Sequence, residues 1–222
     1  MRAIHDLLPD TKKIAVIGGT KLIPDGITMA HHVGRAIIDA GCCLVTGGRM
    51  GAGRAASEGA AAACRDRGLD VLQHVIAIVP EGDNADFRIG TVAHIGSDKV
   101  ARRVALVTNT VGAIVIGGGK GTRSEVLIAV MEAIMDGYSI IPVSGTGGEA
   151  DRMSARVSPF PDALLNNTDP SPEKANVIVK VIQQVPCWYC DIDPVQAHYD
   201  WLESPSKDKT GKKMFRIRHK YF

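Results

Sequence analysis

Short apolar runs alternate along the chain with longer stretches whose apolar residues recur every three or four positions. The runs 14–17, 42–45, 75–79, 91–95, 113–116 and 139–143 read as six strands. Most show no polar alternation, the pattern of strands covered on both faces in a parallel sheet. Between them, 26–40 carries Ile27, Ala30, Val33 and Ile37 at helical spacing, and 52–67 is a helix of small residues. Ser97 is a good N-cap for a third helix that runs to Thr108. A fourth spans 121–136, with Val126, Val130, Ala133 and Ile134 as its buried stripe and Gly137 as its stop. Residues 169–173 supply an N-cap at Asp169 and an early proline for a last helix bearing Ile178, Val181, Ile182 and Val185. Strand and helix in regular alternation predict an α/β fold, a doubly wound Rossmann-like parallel sheet with helices on both faces. Residues 1–185 form this Rossmann-like domain in our reading, and 186–222 are a C-terminal basic and aromatic extension.

The strand ends carry the candidate chemistry. Ile116 runs into Gly117-Gly118-Gly119-Lys120-Gly121-Thr122-Arg123-Ser124-Glu125, and a helix begins at once. Glycines let the backbone approach a ligand closely. The first N–H groups of a helix have no partner inside it, and that end carries about half a positive charge. Together these make an anion site. A second glycine-rich turn, Gly47-Gly48-Arg49-Met50-Gly51, follows the second strand, and Gly18-Gly19-Thr20 follows the first. A third rich loop, Ser144-Gly145-Thr146-Gly147-Gly148, closes the sixth strand. In doubly wound sheets the strand C-termini share one edge, and the loops after Val45, Ile116 and Val143 are expected to gather there. The polar stretch 81–87 reads as a loop placed over that edge. The dinucleotide fingerprint belongs after the first strand, so the weak match at 51–56 argues against a nicotinamide enzyme.

Composition narrows the setting. Aromatic residues are only 5% of the 222, so the core must be Val, Ile, Leu and Ala. No apolar run approaches the roughly 20 residues of a membrane span. Five cysteines, with Cys42 and Cys43 in a strand and Cys64 in a helix, read as reduced thiols of a cytoplasmic protein. The net charge of +2 hides an asymmetry: residues 206–222 hold seven Lys or Arg against one acid, leaving the rest of the chain at −4. The main domain is therefore not built to follow a nucleic-acid backbone, and only the basic tail leaves that open. Cys187-Trp188-Tyr189-Cys190 is a lone pair without the second half of a zinc site. The adjacent His31 and His32 point in different directions on a helix. No metal or cofactor is expected.

Gly117 to Glu125 resembles the mark of the Lonely Guy family, long misnamed lysine decarboxylases: Pro-Gly-Gly-x-Gly-Thr-x-x-Glu, here with Gly117 in place of the proline. The family's preceding arginine corresponds to Arg102, 23 positions before Glu125. The resemblance covers roughly residues 12–185. It implies a phosphoribohydrolase fold, a homodimer, and a nucleotide phosphate on Gly117, Gly118, Gly119, Lys120, Gly121 and Thr122, with Gly18, Thr20, Gly47, Gly48 and Gly51 nearby. Glu125 and Arg102 are the catalytic candidates, for cleavage of the N-glycosidic bond of a nucleoside 5′-monophosphate. A carboxylate stabilises positive charge building on the sugar, and an arginine fork holds phosphate or ribose. The triple glycine and the Ser-Gly-Thr-Gly-Gly loop look closer to relatives described as molybdenum-cofactor carriers or inferred nucleotide sensors. A non-catalytic sensor or carrier of a nucleotide-derived ligand is the alternative expectation. Lys120 and Arg123 add positive charge and point to a second phosphate.

Overall fold

The computed structural model describes residues 10–136, 138–154 and 170–184. Gly137, Asp169, Val185, the cysteine pair Cys187 and Cys190 and the basic tail 206–222 lie outside the described residues, so the readings made of them stand where the sequence left them. In chain order the elements are β1 (Lys13–Gly18), α1 (Pro24–Asp39), β2 (Cys43–Thr46), α2 (Ala52–Asp66), α3 (Val71–His74), β3 (Val75–Val79), β4 (Thr91–His94), α4 (Lys99–Thr108), β5 (Gly112–Ile116), α5 (Lys120–Asp136), β6 (Ser139–Val143), α6 (Gly148–Ser154) and α7 (Pro172–Gln184). No described helix is long and apolar enough to cross a membrane.

The strands form one parallel sheet in the order β4-β3-β2-β1-β5-β6, flanked by helices. Every residue of β2, β3, β5 and β6 is buried, as their unbroken apolar runs require. β4, at the edge, exposes His94 and half-buries Thr91 and Val92. The chain winds outward from β1 in both directions, so the order reverses between β1 and β5. That reversal is where open α/β sheets leave a crevice for ligands. The register pairs Gly18 with Ile116, so the turns after β1 and β5 leave the sheet at the same level.

Small residues set the packing of α1 on α2. A Cβ added at Gly34 would collide with the carbonyl of Ala56, and one added at Gly59 with the carbonyl of His31. The two backbones therefore meet directly. Alanines Ala52, Ala55, Ala56, Ala60 and Ala63 of α2 are all buried, at 4% exposure or less. α7 packs on the other side of α1, and α4 packs on α5.

Two helices were not visible as patterns. α3 is a single turn, capped by Asp70 through the Leu72 N–H at 2.9 Å. α6 lies where the sequence reads as the end of a glycine loop. Both are too short to display a helical period. The cap of α4 also differs from expectation. Asp98, not Ser97, is the N-cap, its Oδ1 accepting from the N–H groups of Val100 and Ala101 at 2.8 Å each. A carboxylate there also meets the positive helix end, which a hydroxyl does not. Ser171 supports the start of α7, its Oγ accepting from the Lys174 N–H at 3.2 Å. Asp98→Ala is expected to cost about 1 kcal/mol and lower the melting temperature by roughly 2–4 °C, with Asp98→Asn keeping most of the wild-type stability. Thermal melts followed by circular dichroism check it.

Candidate functional site

The crevice between β1 and β5 is a cavity of about 470 Å³. Its floor is the end of β1, Val16 to Gly18. Gly19 and Thr20 continue that floor into the first turn. The second turn contributes Gly47, Arg49 and Met50, the start of α2 contributes Gly53, and the triple-glycine turn with the start of α5 contributes Gly119, Lys120, Gly121, Thr122 and Glu125. α4 supplies Lys99, Arg102 and Arg103. The volume lies in the range of small-molecule sites.

Arg102 and Glu125 meet at the centre. Arg102 Nη1 donates to Glu125 Oε1 at 2.9 Å, and both side chains are 10% exposed. α4 and α5 pack side by side, which brings residues 23 apart in sequence into contact. The same guanidinium lies so close to Gly47 that a Cβ there would strike it. Arg102 thus ties α4, α5 and the second turn together. Burial pushes the Glu125 carboxyl above its ordinary range, while the Arg102 and Arg103 guanidiniums pull it down.

The remaining expected site residues divide by position. Gly18, Thr20, Gly47, Gly119, Lys120, Gly121 and Thr122 line the cavity. Gly48, Gly51, Gly117 and Gly118 stand behind the wall, at φ of 66°, 75°, 58° and 111°. They shape the turns that present their neighbours. Gly51, for example, packs against Gly19 and Thr20, where any side chain would collide.

The third glycine loop does not reach the cavity. β5 stands between β6 and β1, so the loop after Val143 lies behind the triple-glycine turn and braces it. The Gly117 N–H donates to Thr146 Oγ1 at 2.9 Å. The Glu149 and Ala150 N–H groups donate to the carbonyls of Gly118 and Gly117 at 3.0 and 3.1 Å. The first turn takes the place at the rim that this loop was expected to fill.

Arg123 also departs from expectation. Its Nε donates to Glu149 Oε2 at 3.1 Å, and Arg152 Nη1 donates to the same oxygen at 3.2 Å. Arg123 is therefore a structural ion pair between α5 and α6, with its charge turned from the cavity. Lys99 and Arg103, which the family motif does not include, line it instead. Lys99, Arg102 and Arg103 stand at i, i+3 and i+4, one face of a helix. That spacing was the available signal. Arg49 lines the cavity while pairing with Asp83 and Asp86 at 3.0 Å each. The Met50 N–H donates to Asp86 as well, at 3.1 Å, and the loop 80–90 is latched to the second turn rather than laid over the cavity. Exposed pairs of this kind contribute little to stability.

Chemically the lining is strongly cationic. Arg49, Lys99, Arg102, Arg103 and Lys120 face it against a single acid, Glu125, among the described residues. Such an arrangement attracts an anion and places its oxygens beside a helix N-terminus.

Several known proteins are similar to this chain. A protein of Archaeoglobus fulgidus, itself uncharacterized, is 35% identical over 126 residues, 54% of this chain and 74% of its own length. The crystal structure of the protein TM1055 is similar at 28% identity and a TM-score of 0.54, covering 65% of this chain and 81% of that one. The molybdenum cofactor binding protein of the phototrophic bacterium Rippkaea orientalis is 25% identical, with a TM-score of 0.53 over 78% of this chain and 98% of that one. The molybdenum cofactor carrier protein of Chlamydomonas reinhardtii gives the same values. These neighbours place the fold in the superfamily suggested by Gly117 to Glu125. The model of the SLOG cluster4 family matches residues 11–141, a span that holds every residue lining the cavity, and the chain belongs to that family.

Proposed function

We propose that the protein binds a nucleotide or nucleotide-derived ligand by its phosphate, in the crevice between β1 and β5, as a sensor or carrier. The observation that supports it is the cationic lining converging on the N-terminus of α5. The residues from Gly119 to Thr122 line the cavity there. Their backbone and the side chains of Lys120 and Arg103 hold phosphate oxygens in this reading. The neighbours that bind or carry the molybdenum cofactor favour a carrier of a nucleotide-related small molecule. Charge-assisted hydrogen bonds contribute about 1.5–3 kcal/mol each, so three or four suffice for micromolar capture.

A second reading, N-glycosidic hydrolysis of a nucleoside 5′-monophosphate, is favoured by Glu125. Glu125 lies on the cavity wall, with its side chain 10% exposed. In that reading it stabilises charge on the sugar and orients water, while Arg102 positions it. A homodimer in the cytoplasm belongs to the same proposal.

One experiment separates the readings. The full chain is melted with a panel of nucleoside 5′-monophosphates, and each mixture is assayed for free base. Stabilisation without product is the expected result. Base release that vanishes in Glu125→Gln turns the conclusion to the enzyme. No stabilisation by any nucleotide overturns both.

A further inference from the structure

We propose that the ligand of this cavity carries a diphosphate, and that Lys99, Arg103 and Lys120 hold its second phosphate. The inference rests on the phosphate-binding reading above and narrows its ligand class.

The argument starts from which cations are already committed. Arg102 is paired with Glu125, and Arg49 with Asp83 and Asp86. Lys99, Arg103 and Lys120 have no acid within ion-pair distance among the described residues, yet all three line the cavity. The N-terminus of α5 adds about half a positive charge beside them. A phosphate monoester carries about −1.5 to −2 at neutral pH, short of three cations and a helix end. A second phosphate supplies the missing charge.

Placement supports the count. Arg103 Nη2 lies 3.7 Å from where a Cβ on Gly121 would stand, so its guanidinium rests at the first turn of α5. Arg103 Nε is buried and has no hydrogen-bond partner. A buried donor left without a partner is unfavourable, and a small turn of the guanidinium toward a ligand oxygen would relieve it. Lys99 precedes Arg103 by one turn on the same face of α4, and Lys120 opens α5 opposite. The three cations therefore come from two helices and converge on one side of the cavity. The backbone of the glycine turns is left to hold the first phosphate.

The test uses inorganic pyrophosphate and inorganic phosphate as probes, titrated calorimetrically into the full chain at one fixed salt concentration. Nucleoside mono- and diphosphates are then titrated in matched pairs. The expected result is pyrophosphate binding at least about tenfold tighter than phosphate, the size of one charge-assisted contact pair, and diphosphates ahead of monophosphates by a similar factor. In Lys99→Gln/Arg103→Gln the preference falls below about threefold, while Arg65→Gln, on the outer face of α2, keeps it. Lys99 is exposed, so Lys99→Gln alone reports the same loss without disturbing the core should the double variant unfold. Equal affinity for one and two phosphates overturns the diphosphate and leaves the nucleotide reading standing. A preference that survives in Lys99→Gln/Arg103→Gln overturns the assigned residues. Pyrophosphate preference without binding of any nucleotide supports the subsite and overturns the nucleotide reading. Binding of no probe overturns both.

Discussion

Replacing Arg102 by alanine is expected to destabilise the protein by about 3–5 kcal/mol, because it strands a buried carboxylate. Glu125 and Arg102 are each about one-tenth exposed and bonded at 2.9 Å. Without its partner, Glu125 keeps only the more distant attraction of Arg103. Its carboxyl, already raised by burial, rises further. The sign of the pH dependence follows. A carboxyl whose folded-state value lies above its unfolded one favours folding when protonated. The Arg102→Ala protein is therefore least impaired near pH 4.5 and below, and the deficit grows as pH rises through the raised value. Adding Glu125→Gln removes the stranded charge, and the double variant regains most of the stability and loses the pH dependence. Urea unfolding at pH 5 and pH 8 reads all three variants. An Arg102→Ala protein with wild-type stability at pH 8 would mean that the pair is solvated rather than buried.

The second large effect is expected at Gly34→Ala. In an exposed helix this change stabilises by about 1 kcal/mol. Here the new methyl meets the Ala56 carbonyl, and the neighbour is backbone that cannot rotate away. Overpacking of this kind costs about 1–3 kcal/mol, so we expect the melting temperature to fall by roughly 2–12 °C. Gly53→Ala is the internal control. A Cβ there would stand 3.6 Å from Thr46 and 3.9 Å from Phe87, an ordinary contact. It is expected to melt no lower than the wild type. Equal melting of the two variants would refute the close approach of α1 and α2.

Much of this architecture was legible in the sequence, for a physical reason. Strands buried on both faces must be apolar throughout, so 75–79 and 139–143 announce themselves. The triple-glycine turn is equally plain, since few other structures need three glycines before a helix. Arg102 and Glu125 were singled out by the same motif, and the structure joins them by an ion pair. What escaped were choices between neighbours. Ser97 and Asp98 both cap helices well, and only the backbone geometry selects Asp98. Arg123 reads as ligand-facing because it follows the glycine turn. Its direction is set by Glu149, on a helix of seven residues that has no periodic signature. Lys99 and Arg103 share a face with Arg102, but a cationic helix face reads equally well as a solvated one until the packing of α4 on α5 is known. The third glycine loop was assigned to the rim because strand order cannot be read from local pattern. With β6 outermost, its loop falls behind the site.

The direct backbone contact of α1 with α2 extends to the turns that lead into them. The Ala52 N–H donates to the Gly19 carbonyl at 2.9 Å, and Gly51 rests on Gly19 and Thr20. Main chain fitted against main chain leaves no rotamers to rearrange. One wall of the cavity is thus a finished mould, and a guest meeting it gives up little free energy to order the host. The opposite wall is made of long, jointed cationic side chains. Selectivity among related guests can therefore be retuned by single changes of length or charge on α4 and at Lys120, while the mould stays as it is.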